Sequence, residues 1–232
     1  MNGEESFEKM APATVGETGE GSGVRPRLNE SGKRAMQGPS ASFDSSSTTS
    51  DQKESQVIGD PVTDARHWHE QQHPDTCAIV AQEGIIAKHT GDNPGEEVLR
   101  RESLANGWYA NGTKPQDVGK LMEAHQVPVG FKGSGDMNTL EQELAQGHDV
   151  IVGVDAGHLW QDANSLGSGH AVWVTGLETD NQGKVTNVFL NDSGNSAIGA
   201  GGKVSAQTFR DAWAGGGNFM VATQESAVQN RK

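Results

Sequence analysis

Apolar and polar positions change their period midway along this chain. From residue 77, Ile79, Val80 and Ile86 fall at helical spacing, and "HTGDNPG" stops the pattern at Gly91. Asp75 or Thr76 is placed to cap this helix, which predicts its first turn at Cys77. "PGEEVLRRESLANG" reads as a second helix, acidic at its start and basic later, as the helix dipole favours. "TKPQDVGKLMEAH" predicts a third, with Thr113 and Gln116 as a capping box and Val118, Leu121 and Met122 on its apolar face. Pro128 blocks its continuation, and "NTLEQELAQG" gives one more short helix closed by Gly147.

Beyond this point the helical period gives way to strands. "DVIVGVD" (149–155) is a continuous apolar run, the signature of a strand buried on both faces. "HAVWVTGLE" (170–178) and "VTNVFLND" (185–192) alternate, and "TDNQGK" between them is a turn cluster. A short helix in "SAQTFRDAWAG" and a strand in "NFMVAT" follow, while "GAGGKV" (199–204) reads as a loose loop. Helices first and antiparallel strands afterwards predict an α+β fold.

The polar remainder divides the chain. Residues 1–55 hold only Phe7 and Phe43 as aromatics, and "SASFDSSSTTS" is nearly a pure hydroxyl tract. Such a segment buries too little apolar surface to offset its ordering entropy, so 1–55 is expected to be a disordered Ser/Thr/Gly-rich tail and 56–232 the folded domain. The net charge of −13 argues against nucleic acid as a partner. No apolar run is long enough to span a membrane, and "MNGEESFEKM" lacks the apolar core of a secretory signal. A cytoplasmic location, or export without a cleaved signal, fits. The sequence carries no signal for an oligomeric state.

If the turn between the two alternating strands centres on Asn181, Val174 faces Val188, Val172 faces Leu190, Trp173 faces Phe189, and His170 faces Asp192. Directly opposed residues bring their Cβ atoms to roughly 4.5–5.5 Å, close enough for a carboxylate to accept from an imidazole. A slip of two residues is expected to separate the pair. An imidazole with a carboxylate partner becomes chemical machinery when it has a nucleophile to serve. The only cysteine, Cys77, stands at the predicted helix start, where unpaired backbone N–H groups and the dipole favour a thiolate. Gln71, six residues earlier, offers a side-chain N–H to an oxyanion, with the Cys77 N–H as a second donor. Gln72 competes for that role. His67, His69 and His73 look like a metal cluster, but Pro74 and the expected backbone spoil the geometry, so no metal site is assigned. His158 is a reserve base, and Asn195 and Ser196 receive no role. One cysteine also excludes an internal disulfide.

Gln-x5-Cys at a helix entrance, then Gly-His opening a strand, then Asn-Asp at the end of the next, resembles the papain-like cysteine peptidases. The segments "EQQHPDTCAIVAQEGI", "GTKPQDVGKLMEAH", "VIVGVDAGHLW", "GHAVWVTGLE" and "VFLNDSG" are similar to stand-alone relatives of the bacteriocin-processing, double-glycine leader peptidases. The resemblance spans about 60–222. It implies a papain-like fold, N-terminal helices packed on an antiparallel sheet. It also implies Cys77 as nucleophile, His170 as general base and acid, Asp192 orienting His170, and Gln71 as oxyanion donor. A peptide or protein substrate is implied, and no cofactor. Two features depart from the pattern: Ala78 follows the cysteine where those peptidases often have Gly, and no segment matches their transporter portion. The leading expectation is a cysteine peptidase cleaving a peptide or isopeptide bond. The alternatives are an exported effector using the same triad as a glutamine deamidase or transglutaminase, and a catalytically silent binding module.

Overall fold

One seven-stranded antiparallel sheet, with helices against both of its faces, organises residues 55–227, which are the residues described by the computed structural model. The expected tail at 1–55 lies outside them apart from Ser55. The strands are β1 (Gln56–Gly59), β2 (Val129–Ser134), β3 (Val150–Asp155), β4 (Gly169–Thr179), β5 (Val185–Asn191), β6 (Gly202–Ser205) and β7 (Phe219–Thr223). They lie in the order β2-β7-β3-β4-β5-β6, and β1 pairs with the far half of β4 beyond the end of β3. The helices are α1 (Pro61–Asp64), α2 (Cys77–Thr90), α3 (Glu96–Ala105), α4 (Lys120–Ala124), α5 (Met137–Ala145), α6 (Ala156–Trp160) and α7 (Ala206–Gly215). The expected α+β class holds. Among the described residues, no helix is long and apolar enough to cross a membrane.

The sheet separates two cores. On one face, Ile79, Ile85, Ile86, Leu99, Leu121 and Met122 pack against Ile151, Trp173 and Val221. On the other, Leu140, Phe209 and Trp213 cover Val152, Val172, Val174 and Leu190. Strand β3 is buried at every position, as its unbroken apolar run predicts.

Helix α2 is buried along most of its length, so it is a central helix rather than a surface one. It begins at Cys77 and ends with Gly91 in the left-handed conformation, φ 77°, where a side chain would be strained. Thr76 occupies the cap position, but its hydroxyl makes no cap bond. It donates instead to Glu96 Oε1 at 2.6 Å. The expected Thr113–Gln116 capping box is also absent. Pro115–Asp117 forms a 3₁₀ turn with no side-chain cap bond from Lys114 before it, and Gly119, at φ 99°, separates that turn from α4.

Two expectations about the sheet need correction. "GAGGKV" is not a loose loop throughout, because Gly202–Ser205 pairs with β5 as β6. The β4–β5 register is shifted by two residues near the site. Val174 faces Leu190 and Trp173 faces Asn191, rather than Val188 and Phe189. The register then jumps between Val174 and Gly176, leaving Thr175 as a bulge. The extra residue restores Leu177 to the face that carries Val172 and Val174, so the apolar stripe survives the shift.

Candidate active site

Helix α2 and strand β4 set the two central residues side by side. The helix seats closely on the sheet at Gly84, where an added Cβ would lie 3.0 Å from the Trp173 ring. From that contact, Cys77 is seven residues back along α2, about 10.5 Å at 1.5 Å per residue. His170 is three residues back along β4, about 10 Å at 3.4 Å per residue. The nearly equal lengths bring Cys77 and His170 to the same level at one end of the sheet. Both are buried.

His170 Nε2 and Asp192 Oδ1 lie 2.8 Å apart, and the Cys77 side chain forms the other hydrogen-bonded contact of the ring. Burial pushes the His170 pKa down, but the Asp192 carboxylate and the Cys77 sulfur outweigh it and raise it to about 10. The imidazole is therefore held as imidazolium at neutral pH.

The expected face-to-face pairing of His170 with Asp192 is not how they meet. If the observed register continues past the end of β5, position 194 falls opposite 170. Asp192 instead reaches His170 diagonally, from the first residue after the strand, within the span of diagonal neighbours on one sheet face.

Neighbours that the sequence did not single out fix this carboxylate. Trp160 Nε1 donates to Asp192 Oδ2 at 2.8 Å, and the Gly194 N–H donates to Oδ1 at 2.9 Å. Trp68 Nε1 donates to the Asp192 carbonyl at 2.7 Å. The Trp160 ring also meets the His170 ring edge-on, centroids 5.2 Å apart. For Trp160 and Gly194 only the quoted segments "AGHLW" and "NDSG" touched these positions, and no spacing rule ties a tryptophan 32 positions upstream to an aspartate.

Gln71 lies at the same end of the sheet. Its N–H donates to the Ser193 carbonyl at 2.9 Å, its Oε1 accepts from Ser193 Oγ at 3.0 Å, and its Nε2 donates to the His73 carbonyl at 2.8 Å. An amide nitrogen carries two hydrogens, so one remains for a ligand. The competitor Gln72 is exposed. The backbone N–H groups of Cys77 and Ala78 open α2 and have no acceptor within the helix.

The remaining singled-out residues lie elsewhere. His69 Nε2 is 3.0 Å from Glu83, and His73 is 3.5 Å from Glu97. The His69 hydrogen bond to Glu83 is the chief cause that raises its pKa to about 9. His158 on α6 is half exposed and pairs with Asp155 at 3.0 Å, not with Asp192. Asn195 caps a turn by accepting from the Ala197 N–H. Among the described residues, no group of His, Cys, Asp and Glu is arranged to hold a metal ion.

No family model matches the chain. The uncharacterized protein Rv1268c of Mycobacterium tuberculosis is 30% identical over 203 residues, covering 72% of this chain and 84% of the relative. The uncharacterized protein Mb1299c of Mycobacterium bovis matches with the same figures. The chain belongs to the family of these mycobacterial proteins. The chain is also similar to a crystal structure from Bacillus anthracis, described as a candidate C39-like peptidase. That match has a TM-score of 0.49 and 14% identity, over 69% of this chain and 96% of the other.

Proposed function

We propose that the protein is a papain-like cysteine peptidase, with Cys77 as nucleophile, His170 as acid and base, Asp192 orienting His170, and Gln71 as oxyanion donor. The observation that carries the reading is the buried imidazole held between the Cys77 sulfur and the Asp192 carboxylate, the latter at 2.8 Å.

The chemistry follows from that arrangement. The Cys77 thiolate attacks the carbonyl carbon of the scissile bond, and the carbonyl electron pair moves onto oxygen. The free hydrogen of Gln71 Nε2 and the backbone N–H of Cys77 receive that oxyanion. The His170 imidazolium then gives its proton to the leaving amine as the carbon–nitrogen bond breaks, leaving a thioester on Cys77. Neutral His170 takes a proton from water, the resulting hydroxide attacks the thioester, and the acid product leaves. Asp192 holds the ring in orientation throughout, as the third member of a triad does.

The test uses the full chain, wild type and Cys77→Ala, incubated with a proteome-derived peptide library and read by mass spectrometry. New termini in the wild-type sample alone support a peptidase. A gain of one mass unit at glutamine without cleavage would move the chemistry to deamidation. Iodoacetamide at pH 6 gives a substrate-independent check. Cys77 alkylated no faster than a free model thiol at that pH ends the reading.

A further inference from the structure

The oxyanion donors of the proposed peptidase, Gln71 and Cys77, are separated by residues 72–76, which form neither helix nor strand. The shape of that segment therefore depends on individual bonds. One side chain makes four of them. Glu96, at the first position of α3, has a fully buried carboxylate. It accepts from the N–H of Gln72 at 2.8 and 3.0 Å, from the N–H of His73 at 3.3 Å, and from the Thr76 hydroxyl at 2.6 Å.

We propose that Glu96 is a positioning residue for the oxyanion site, acting through the segment it ties down and not through the Cys77–His170 pair. The proposal rests on the peptidase reading and deepens it. Two links run from Glu96 to the donors. At one end, Glu96 holds the N–H of His73, and the carbonyl of the same residue receives Gln71 Nε2 at 2.8 Å. At the other, Glu96 holds the side chain of Thr76, whose carbonyl shares a peptide plane with the Cys77 N–H. Each proposed donor is one peptide unit or one hydrogen bond from a residue that Glu96 grips.

His69 Nδ1 lies 3.9 Å from Glu96 Oε2, and its other ring nitrogen is bound to Glu83 at 3.0 Å, so the His69 ring lies between two buried acidic side chains. The influences on the His170 ring, by contrast, come from Asp192 and Cys77. Glu96 is thus wired to the segment that stabilises developing negative charge on oxygen. It is separate from the pair that generates the thiolate.

That separation gives the test. Acylation of a thiolate by 4-nitrophenyl acetate passes through a tetrahedral oxyanion. Alkylation by iodoacetamide displaces iodide at a saturated carbon and forms none. In the full chain, Glu96→Gln sets an amide N–H₂ against the donors that Glu96 now receives. Acylation of Cys77, read as nitrophenolate release, is expected to fall by about tenfold or more. That is below the roughly 10²–10³ lost when an oxyanion donor is removed outright. Alkylation is expected to change less than about twofold, because it uses no such donor. Both rates falling together would overturn the proposal, since that marks a merely structural residue, and so would an unchanged acylation rate. If Glu96→Gln does not yield a folded protein, Thr76→Val, which removes one of the bonds, carries the same test and is judged by the same split. A wild-type Cys77 that reacts no faster than a free thiol with either reagent would instead sink the peptidase reading itself.

Discussion

Gly194 lies directly against the ring of His170. A Cβ built on it would stand 2.8 Å from Cε1 and 3.3 Å from Nε2, and 3.2 Å from the Trp160 ring. The glycine is needed for space, because the imidazole, the indole and the backbone after Asp192 converge there.

Gly194→Ala is therefore expected to displace the His170 ring from Asp192. The predicted outcome is a folded protein in which Cys77 alkylation at pH 6 slows by about tenfold, a part of the roughly 10²–10⁴-fold that a well-positioned acid–base group contributes. A time course with iodoacetamide, beside circular dichroism to establish folding, checks it.

The His170 ionisation gives a pH signature. The Asp192 and Cys77 partners overcome burial and lift its pKa from the ordinary histidine value to about 10. A raised folded-state pKa contributes stability that is fully present below the unfolded value near 6.5 and is lost as pH rises through about 10. Asp192→Asn removes the anion that raises it most, so the ring should titrate at lower pH. Nitrogen NMR of the His170 ring reads that shift directly. Urea unfolding from pH 6.5 to 10 should show the wild type losing more stability over that window than Asp192→Asn.

Trp160→Phe keeps an aromatic ring near His170 but removes the donor to Asp192 Oδ2. A lost hydrogen bond to a buried charged group typically costs about 1.5–3 kcal/mol. The variant should unfold at lower urea concentration with an unchanged m-value, measured against the wild type at neutral pH.

Far along α2 from Cys77, Asp64 and Asp149 share Lys88 at 2.8 and 2.7 Å. Burial, helped by the neighbouring charge of Asp149, raises the Asp64 pKa to about 7. Its ionisation therefore opposes folding. The stability it contributes is complete below the unfolded value of 3.8 and is lost as pH rises through about 7. Asp64→Asn should flatten the pH dependence of stability between pH 4 and 7, as followed by urea denaturation.

How much of this was written in the sequence differs from residue to residue. The start of α2 at Cys77 and its stop at Gly91 followed from local punctuation and apolar spacing. The burial of β3 followed from its unbroken apolar run. The β4–β5 register did not follow, because the turn centres one residue later than Asn181, at Gln182, and the two one-residue irregularities beyond it cancel. The expectation that a two-residue slip would part His170 from Asp192 failed for a different reason. Diagonal neighbours on a sheet are still within reach of a side chain that turns back from a strand end.

By itself, then, the sequence determined which segments coil, which extend, and that a thiol, an imidazole, a carboxylate and an amide were available at element ends. These depend on short-range sterics, capping and periodicity, which act over a few residues. Only the tertiary structure decided that Trp160, Trp68 and Gly194 enclose Asp192, and that Glu96 grips the segment before Cys77. Apart from the Gly194 bond, those contacts join residues 20 or more positions apart in the chain. They depend on how helices, loops and sheet pack together, as at the close seat of Gly84 on Trp173, and packing of that kind has no local code.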